Sequence, residues 1–305
     1  MFRLSLLVFL ILSHIFVPDL LAMAPNVAST FEVHGHRGAR ARRPENTLQA
    51  FQFAIESGVT ALEMDLGVTK DGELVLNHDL TVNTDLCFSR KPGLSQLRKP
   101  LIHDLRLSEI KSYDCGSILN PLFPFQALVP GAKILSFREL LVFLKKSTDP
   151  RSKKVKINIE TKTDPENPAS TLGPEAFVDL VAKLILDEGF DPRRVILQSF
   201  DFRTIIYAKA KWPSLKTSAL VESLDSSLSS SEAVRELLIK TQADYISPNG
   251  HVCSKALVSE AHALGRKVLV WTINKKRDWR HFARMGVDGI ITDDPGPLVQ
   301  DLLKL

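Results

Sequence analysis

The sequence lacks the patterns that mark thiolate metal sites, nucleic-acid-binding chains and repeat proteins. It has only three cysteines, Cys87, Cys115 and Cys253, and none has the C-x-x-C spacing of a structural zinc site. Its 39 lysines and arginines are scattered among 35 acidic residues and form no long basic run, so we expect no nucleic-acid partner. No internal repeat or low-complexity segment is visible. What remains is a chain of 305 residues that is long enough to form one large domain.

The sequence also lacks an apolar run of the roughly 20 residues that a membrane-spanning helix needs. Its longest such run, residues 4–17, follows Arg3 and ends at Pro18 and Asp19, which is the shape of a signal peptide. We therefore predict a signal peptide over residues 1–24 and no stable membrane span in the mature protein. The expected location is outside the cytoplasm, either periplasmic or secreted. The cleavage site stays open.

Export changes the expected state of the cysteines. Cys87 and Cys115 lie in the same irregular segment, so in an oxidising compartment they could form a disulfide and leave Cys253 as a buried thiol. The alternative is three unpaired cysteines that act as small apolar residues. We predict the bridge.

Short β-prone segments alternate with amphipathic helical patterns along the chain. This alternation predicts a parallel sheet that closes into a (β/α)8 TIM barrel over residues 30–305. One stretch, about 80–133, contains five prolines and breaks the alternation, so it is predicted to be an insertion after strand 2 that shapes the mouth of the pocket. The eight predicted strands are 31–35, 60–66, 155–160, 194–199, 217–221, 244–247, 267–272 and 289–292.

Carboxylates occur where barrel strands should be apolar. In the second strand Glu63 and Asp65 alternate with leucine and methionine, so both point to one side of the strand. Since the outer side of a barrel meets helices, the two carboxylates must point inward, and Glu160 repeats the pattern at the end of the third strand. Buried like charges need a cation, and oxygen ligands suit Mg²⁺ or Ca²⁺. Lys162 follows on the same face, either as a salt-bridge partner of Glu160 or as a contact for a phosphate oxygen.

Histidines follow the first strand and the second. His36 and Arg37 lie in a glycine-rich segment at the end of the first strand, and His78 lies near the same rim. Arginine offers a bidentate contact for phosphate, and cleavage of a phosphodiester needs one proton acceptor and one proton donor. His34 lies deeper in the first strand and is predicted to be structural.

Eight short motifs occur in order along the chain: His36-Arg37-Gly38-Ala39, Pro44-Glu45-Asn46-Thr47, Glu63-Met64-Asp65, His78-Asp79, Asn158-Ile159-Glu160-Thr161-Lys162, Gln198-Ser199-Phe200, Trp271-Thr272-Ile273-Asn274 and Thr292-Asp293. In these motifs the sequence closely resembles the glycerophosphodiester phosphodiesterase family. The resemblance covers roughly residue 31 to the end of the chain. It implies a divalent metal, Ca²⁺ or Mg²⁺, on Glu63, Asp65 and Glu160, with His36 and His78 as the acid/base pair. It also implies substrate binding by Arg37, Lys162 and Trp271, and a small-molecule glycerophosphodiester substrate that is cut to glycerol phosphate and an alcohol.

Three other functions fit parts of this pattern. Lysophospholipase D-type cleavage of lysophospholipids would use the same site, with the apolar residues near 119–129 of the insertion covering an acyl chain. A barrel glycosidase would use paired carboxylates but leaves the histidines and Arg37 unexplained. A phosphodiester-binding barrel without turnover would be expected to have lost a histidine or a metal carboxylate, and the full set is present. The sequence does not predict the oligomeric state, and it leaves open whether water or a substrate hydroxyl is the nucleophile.

Overall fold

The computed structural model describes residues 30–223 and 231–302. The predicted signal peptide, residues 1–24, and the last three residues of the predicted domain lie outside the described residues. Among the described helices, none is both long and apolar enough to cross a membrane.

Eight parallel strands form a closed barrel, which confirms the predicted fold. The sheet order is β1-β9-β8-β7-β6-β5-β4-β2, and β2 closes the circuit by pairing with β1. A ninth short strand, β3, pairs antiparallel with the end of β2 and was not among the predicted strands. The strands are β1 Glu32–Gly35, β2 Ala61–Val68, β3 Leu74–Leu76, β4 Lys156–Thr161, β5 Val195–Ser199, β6 Lys216–Val221, β7 Tyr245–Pro248, β8 Lys267–Val270 and β9 Gly289–Thr292.

Helices cover the outside of the barrel and bury its apolar outer face. On β2, Leu62, Met64 and Leu66 are fully buried in one core cluster with helical residues such as Phe51 and Phe137. The α-helices are Leu48–Glu56, Leu107–Ile110, Phe137–Lys146, Pro174–Asp187, Phe202–Lys211, Ser231–Thr241, Lys255–Ala263, Lys276–Met285 and Pro295–Leu302.

One part of the inside of the barrel is a row of hydrogen-bonded polar side chains. His34 Nε2 lies 3.2 Å from Glu32 Oε2, and its Nδ1 lies 3.3 Å from the amide nitrogen of Asn158. The Asn158 amide also donates to Gln198 Oε1 at 2.9 Å, and Gln198 Nε2 donates to Glu63 Oε1 at 2.9 Å. Buried polar groups need such partners, so this row of side chains fixes Glu63 from below. The structural role predicted for His34 is confirmed.

The insertion forms a small core of its own beside the carboxyl-terminal end of the barrel. It contains a disulfide between Cys87 and Cys115, which confirms the predicted bridge, and Cys253 is a buried free thiol. The insertion contacts the loop after β1 through Gln126, whose side-chain amide donates to the carbonyl oxygens of Arg40 at 2.6 Å and Arg43 at 3.2 Å. The loop that carries His36 and Arg37 is thus held by the insertion.

Candidate active site

Three carboxylates meet at the carboxyl-terminal ends of β2 and β4. Parallel pairing places Asp65 opposite Glu160, and Glu63 lies two residues before Asp65 on the same side of β2. One oxygen from each of Glu63, Asp65 and Glu160 lies within 4.8 Å of the others. The three residues are 2%, 1% and 8% exposed, so solvent does little to screen the repulsion between them. The cluster that the sequence predicts is therefore present and buried.

Two cationic side chains, Lys162 and Arg37, lie beside this cluster, and the pKa values of its carboxyl groups shift in opposite directions. Burial raises the pKa of Glu63 well above its ordinary value, and repulsion from Asp65 adds to the effect. Burial alone would also raise the pKa of Asp65, but Lys162 and Arg37 hold it well below its ordinary range. Lys162 Nζ lies 3.1 Å from Asp65 Oδ1 and 2.5 Å from Glu160 Oε1. Lys162 is therefore an ion-pair partner of the cluster, one of the two roles predicted for it.

The donor set fits a hard divalent cation. Asp65 Oδ1 is buried and lies 3.1 Å from Lys162 Nζ, without a hydrogen bond of good geometry from the described residues. Because this ammonium is shared with Glu160, a further cation would offset the remaining repulsion among the buried carboxylates. All three candidate ligands are carboxylates, the type that Mg²⁺ and Ca²⁺ prefer. Glu63, Asp65 and Glu160 could therefore hold the metal.

The loop after β1 brings its backbone to the same cluster. Arg37 has φ 50° and Gly38 has φ 85°, so the chain curls back after the strand. A Cβ at Gly38 would lie 2.6 Å from the carbonyl carbon of Ala50, which only glycine avoids. In this turn the Arg37 backbone N–H donates to Glu63 Oε2 at 3.0 Å. The Arg37 guanidinium contacts Glu45 Oε1 at 2.9 Å and Asp65 Oδ2 at 3.3 Å.

His36 is held in one orientation by Asp293. His36 Nδ1 lies 2.6 Å from Asp293 Oδ1, and His36 Nε2 lies 3.8 Å from Glu63 Oε2. Burial lowers the pKa of His36 to about 4 despite the opposing effect of Asp293, with Arg40 and Arg37 lowering it further. Burial alone would raise the pKa of Asp293, but His36 and Arg40 hold it well below its ordinary range. The carboxylate therefore accepts a hydrogen bond from Nδ1–H, and Nε2 keeps a free lone pair.

Asp293 is a site residue that sequence reasoning did not single out. It follows β9, 257 residues after His36, and is itself fixed by Arg40 Nε at 2.6 Å and Asn274 Nδ2 at 2.7 Å. Gln198, which donates to Glu63, was missed in the same way. Both residues belong to the motifs Thr292-Asp293 and Gln198-Ser199-Phe200, so the signal was in the sequence without an assigned role.

His78 lies at the rim, in the loop after β3. Its side chain is 39% exposed, and its Nδ1 lies 2.7 Å from Asp79 Oδ1. The side-chain hydrogen bond from His78 lowers the pKa of Asp79, which is therefore ionised and able to stabilise a protonated ring. His78 is thus the more solvent-accessible of the two histidines, and His36 is the more enclosed.

One cavity of about 330 Å³ joins these groups at the carboxyl-terminal end of the barrel. Trp271 is among its lining residues, as predicted, and its indole N–H donates to the carbonyl oxygen of Ser247 at 2.7 Å. Asp65 and Lys162 do not line the cavity but contact residues that do. The lining residues that bear on the chemistry are His36, Arg37, Glu63, His78, Glu160, Phe200, Glu222 and Trp271.

Comparison with known proteins agrees with this geometry. A glycerophosphodiester phosphodiesterase of Caldanaerobacter subterraneus subsp. tengcongensis is 29% identical over 272 residues, covering 89% of this chain and 98% of the relative. A Silicibacter pomeroyi structure, described as a glycerophosphoryl diester phosphodiesterase, is 29% identical with a TM-score of 0.79, covering 90% of this chain and 93% of that one.

A phosphodiesterase of Oleispira antarctica, solved in complex with the product sn-glycerol-3-phosphate, shares the fold with a TM-score of 0.70. It is 21% identical and covers 92% of this chain and 99% of that one. The model of the glycerophosphoryl diester phosphodiesterase family matches residues 36–297, which include every site residue described above. The chain belongs to the glycerophosphoryl diester phosphodiesterase family.

Proposed function

We propose that this protein hydrolyses glycerophosphodiesters to glycerol phosphate and an alcohol, with a divalent cation on Glu63, Asp65 and Glu160. The observation that carries the proposal is the meeting of these buried carboxylates with two histidines and Arg37 at one cavity. The substrate class is supported by the names of the relatives and by the glycerol phosphate product bound to the Oleispira protein.

In the proposed mechanism each side chain has one task. A cation bound at the carboxylates supplies positive charge to the phosphate oxygens. Arg37 and Lys162 add charge and hydrogen bonds beside it. His36 accepts the proton of the nucleophile at its free Nε2 lone pair, and Asp293 stabilises the ring that becomes protonated. His78, supported by Asp79, donates a proton to the oxygen of the leaving alcohol as the phosphorus–oxygen bond breaks.

The nucleophile in this scheme is either water or the adjacent hydroxyl of the substrate's own glycerol. With water, glycerol phosphate is the first product. With the hydroxyl, a cyclic glycerol phosphate forms first and is then hydrolysed. Phosphorus-31 spectra recorded early in the reaction distinguish the two routes.

The test is an assay of purified protein against a panel of glycerophosphodiesters, with and without a chelator. We expect release of glycerol phosphate that stops on chelation and returns with Mg²⁺ or Ca²⁺. Failure to hydrolyse any member of the panel contradicts the activity, and full turnover after exhaustive chelation contradicts the metal.

Lysophospholipids are a second candidate substrate class, favoured by one observation. The insertion exposes large apolar side chains, with Leu122 77% and Phe125 85% exposed and Leu119 and Leu128 also exposed. Patches of this kind often contact lipid. If these side chains take an acyl chain, kcat/KM should rise with acyl length in a series of lysophospholipids. Leu122→Ser should flatten that rise.

We also propose that the protein works outside the cytoplasm. The signal-peptide pattern of residues 1–24 and the Cys87–Cys115 disulfide both support this location. Fractionation of cells that express the full chain tests it, since an exported protein should leave the cytoplasm with its leader removed.

A further inference from the structure

We propose that Phe200, Glu222 and Trp271 form a subsite for a cationic alcohol headgroup, such as a quaternary ammonium. This inference rests on the proposed function, because it names the class of alcohol that the same active site releases.

The three residues line a different side of the cavity from most of the hydrolytic residues. They directly follow β5, β6 and β8, whereas the metal and phosphate residues lie on or after β1, β2 and β4. In the closed order of eight strands, β6 is four strands from β1 and β8 is four strands from β4, while β5 is the direct neighbour of β4. Arg37, Glu63 and Glu160 line the same cavity as these three residues, so a substrate with its phosphate beside Arg37 can place its alcohol against this wall.

The aromatic part of this wall consists of the rings of Phe200 and Trp271, which meet nearly at a right angle. The Phe200 and Trp271 centroids are 5.8 Å apart, and the rings are inclined at 80°. The indole N–H of Trp271 already donates a hydrogen bond to the carbonyl oxygen of Ser247, so it does not require an acceptor on the substrate. A cation in such a corner can lie over one ring face within the distance of about 6 Å at which cation–π attraction acts.

Glu222 places a negative charge beside the two rings. It is an exposed carboxylate at the cavity, and no ion pair in the described ranges 30–223 and 231–302 uses it. A carboxylate near the path of an anionic phosphodiester repels the substrate unless the other end of the substrate is positive. A zwitterionic diester removes this conflict, because its phosphate meets Arg37 and its ammonium meets Glu222.

This arrangement favours one headgroup class over two others. A neutral polyol gains no cation–π attraction from the ring corner. A headgroup with a carboxylate or second phosphate is repelled by Glu222. Specificity of this kind depends on the mismatch with the wrong partner as well as on attraction to the right one.

The experiment compares glycerophosphocholine with glycerophosphoglycerol on metal-loaded enzyme. The measured quantity is the ratio of kcat/KM for the two substrates in the wild type, Glu222→Gln and Phe200→Leu. The matched control is Glu236→Gln, which removes the same charge from an exposed position on the helix Ser231–Thr241, outside the cavity. We expect the ratio to favour choline in the wild type and to fall about tenfold in Glu222→Gln. It should fall less in Phe200→Leu and stay constant in the control.

Calorimetry separates failure of this inference from failure of the proposed function. Binding of glycerophosphocholine to His36→Ala, which should turn it over more slowly by about 10² or more, is compared with binding to the same variant carrying Glu222→Gln. A Kd that rises about tenfold supports the subsite even if no diester is hydrolysed. An unchanged Kd overturns it, as does an unchanged substrate ratio in an active enzyme.

Discussion

The two histidines differ in what their ring nitrogens contact, and the roles proposed for them rest on this difference. His36 Nδ1–H donates a hydrogen bond to Asp293, so its free Nε2 is the nitrogen that can accept a proton. His78 lies at the rim beside Asp79, where a protonated ring is stabilised and a leaving alcohol can depart into solvent. In the proposed mechanism His36 is therefore the base and His78 the acid.

We expect His36→Ala and His78→Ala each to lower kcat by about 10² or more, the usual contribution of a positioned base or acid. The double variant should be little worse than the poorer single one, because loss of either partner disables the same step. A nitrophenyl phosphodiester, whose leaving group needs no proton, should restore turnover in His78→Ala only. Equal rescue of both single variants, or of neither, would contradict this assignment.

Asp293 should influence both the rate and its pH dependence. In the wild type, kcat/KM should decline as pH falls through about 4, since protonation of His36 below its pKa removes the base. Asp293→Asn removes a carboxylate that raises this pKa and supports the charged ring. We therefore expect kcat to fall by about 10² while the acid limb moves to lower pH. The pH–rate profile of Asp293→Asn tests this prediction. A lower rate with the acid limb at the same pH as in the wild type would indicate a purely structural role for Asp293.

The residues named from sequence carried their own local signal. Glu63 and Asp65 interrupt an apolar strand, and His36 and Arg37 follow a strand end beside a glycine. Asp293 and Gln198 lie in motifs of the resemblance, but their residue types alone assign them no role, because a carboxylate after a strand or an amide within one is common. Their importance arises from partners 257 and 135 residues away, which only the closed barrel brings near.

At the scale of elements, most barrel strands and their helices were predictable from alternation and apolar spacing. The strand Leu74–Leu76 was missed because three residues are too few to display alternation. The helix Pro295–Leu302 was not predicted from the sequence, because its first turn contains Pro295, Gly296 and Pro297, residues that usually mark loops. The insertion was predictable as irregular, but its contact with the loop after β1 depends on Gln126, which has no sequence pattern.

The disulfide closes a loop of the insertion and should stabilise it. Cys87 and Cys115 are 28 residues apart, so their replacement by serine together should lower the free energy of unfolding by about 2–4 kcal/mol. Denaturant titration measures this loss. Because Gln126 holds the loop of His36 and Arg37, we also expect a moderate fall in kcat.

Thiol counting provides the control for that prediction. The oxidised protein should show one thiol after denaturation, and Cys253→Ala should show none while keeping the bridge. Burial raises the pKa of Cys253 to about 12, so this thiol should react slowly in the folded protein. Three thiols in the oxidised, unfolded wild type would refute the bridge.

At the scale of the whole molecule, metal binding should couple to stability as well as to turnover. Glu63, Asp65 and Glu160 repel one another, and a cation bound only by the folded state raises Tm in proportion to ln(1 + [metal]/Kd). We expect chelation to abolish activity and lower Tm, and added Ca²⁺ or Mg²⁺ to reverse both effects. Thermal melts at several metal concentrations measure the shift.

The variant Glu63→Gln tests whether this carboxylate is needed for metal binding or for folding. The change keeps the shape of the side chain and removes one charge from a repelling, buried cluster, so the metal-free Tm should hold or rise. Turnover and the metal-dependent gain in Tm should both be lost. A variant that fails to fold would instead identify the cluster as structural.

The two sides of the cavity come from different strands and differ in how deeply they are tied into the protein. Glu63 is hydrogen-bonded through Gln198, Asn158 and His34 down the interior of the barrel, so an apolar side chain at this position would leave buried polar groups without partners. Phe200 and Glu222 are exposed residues beyond strand ends, without such ties. If the proposed subsite is right, substitutions at Phe200 and Glu222 can change which alcohol is accepted while the residues proposed for hydrolysis stay unchanged.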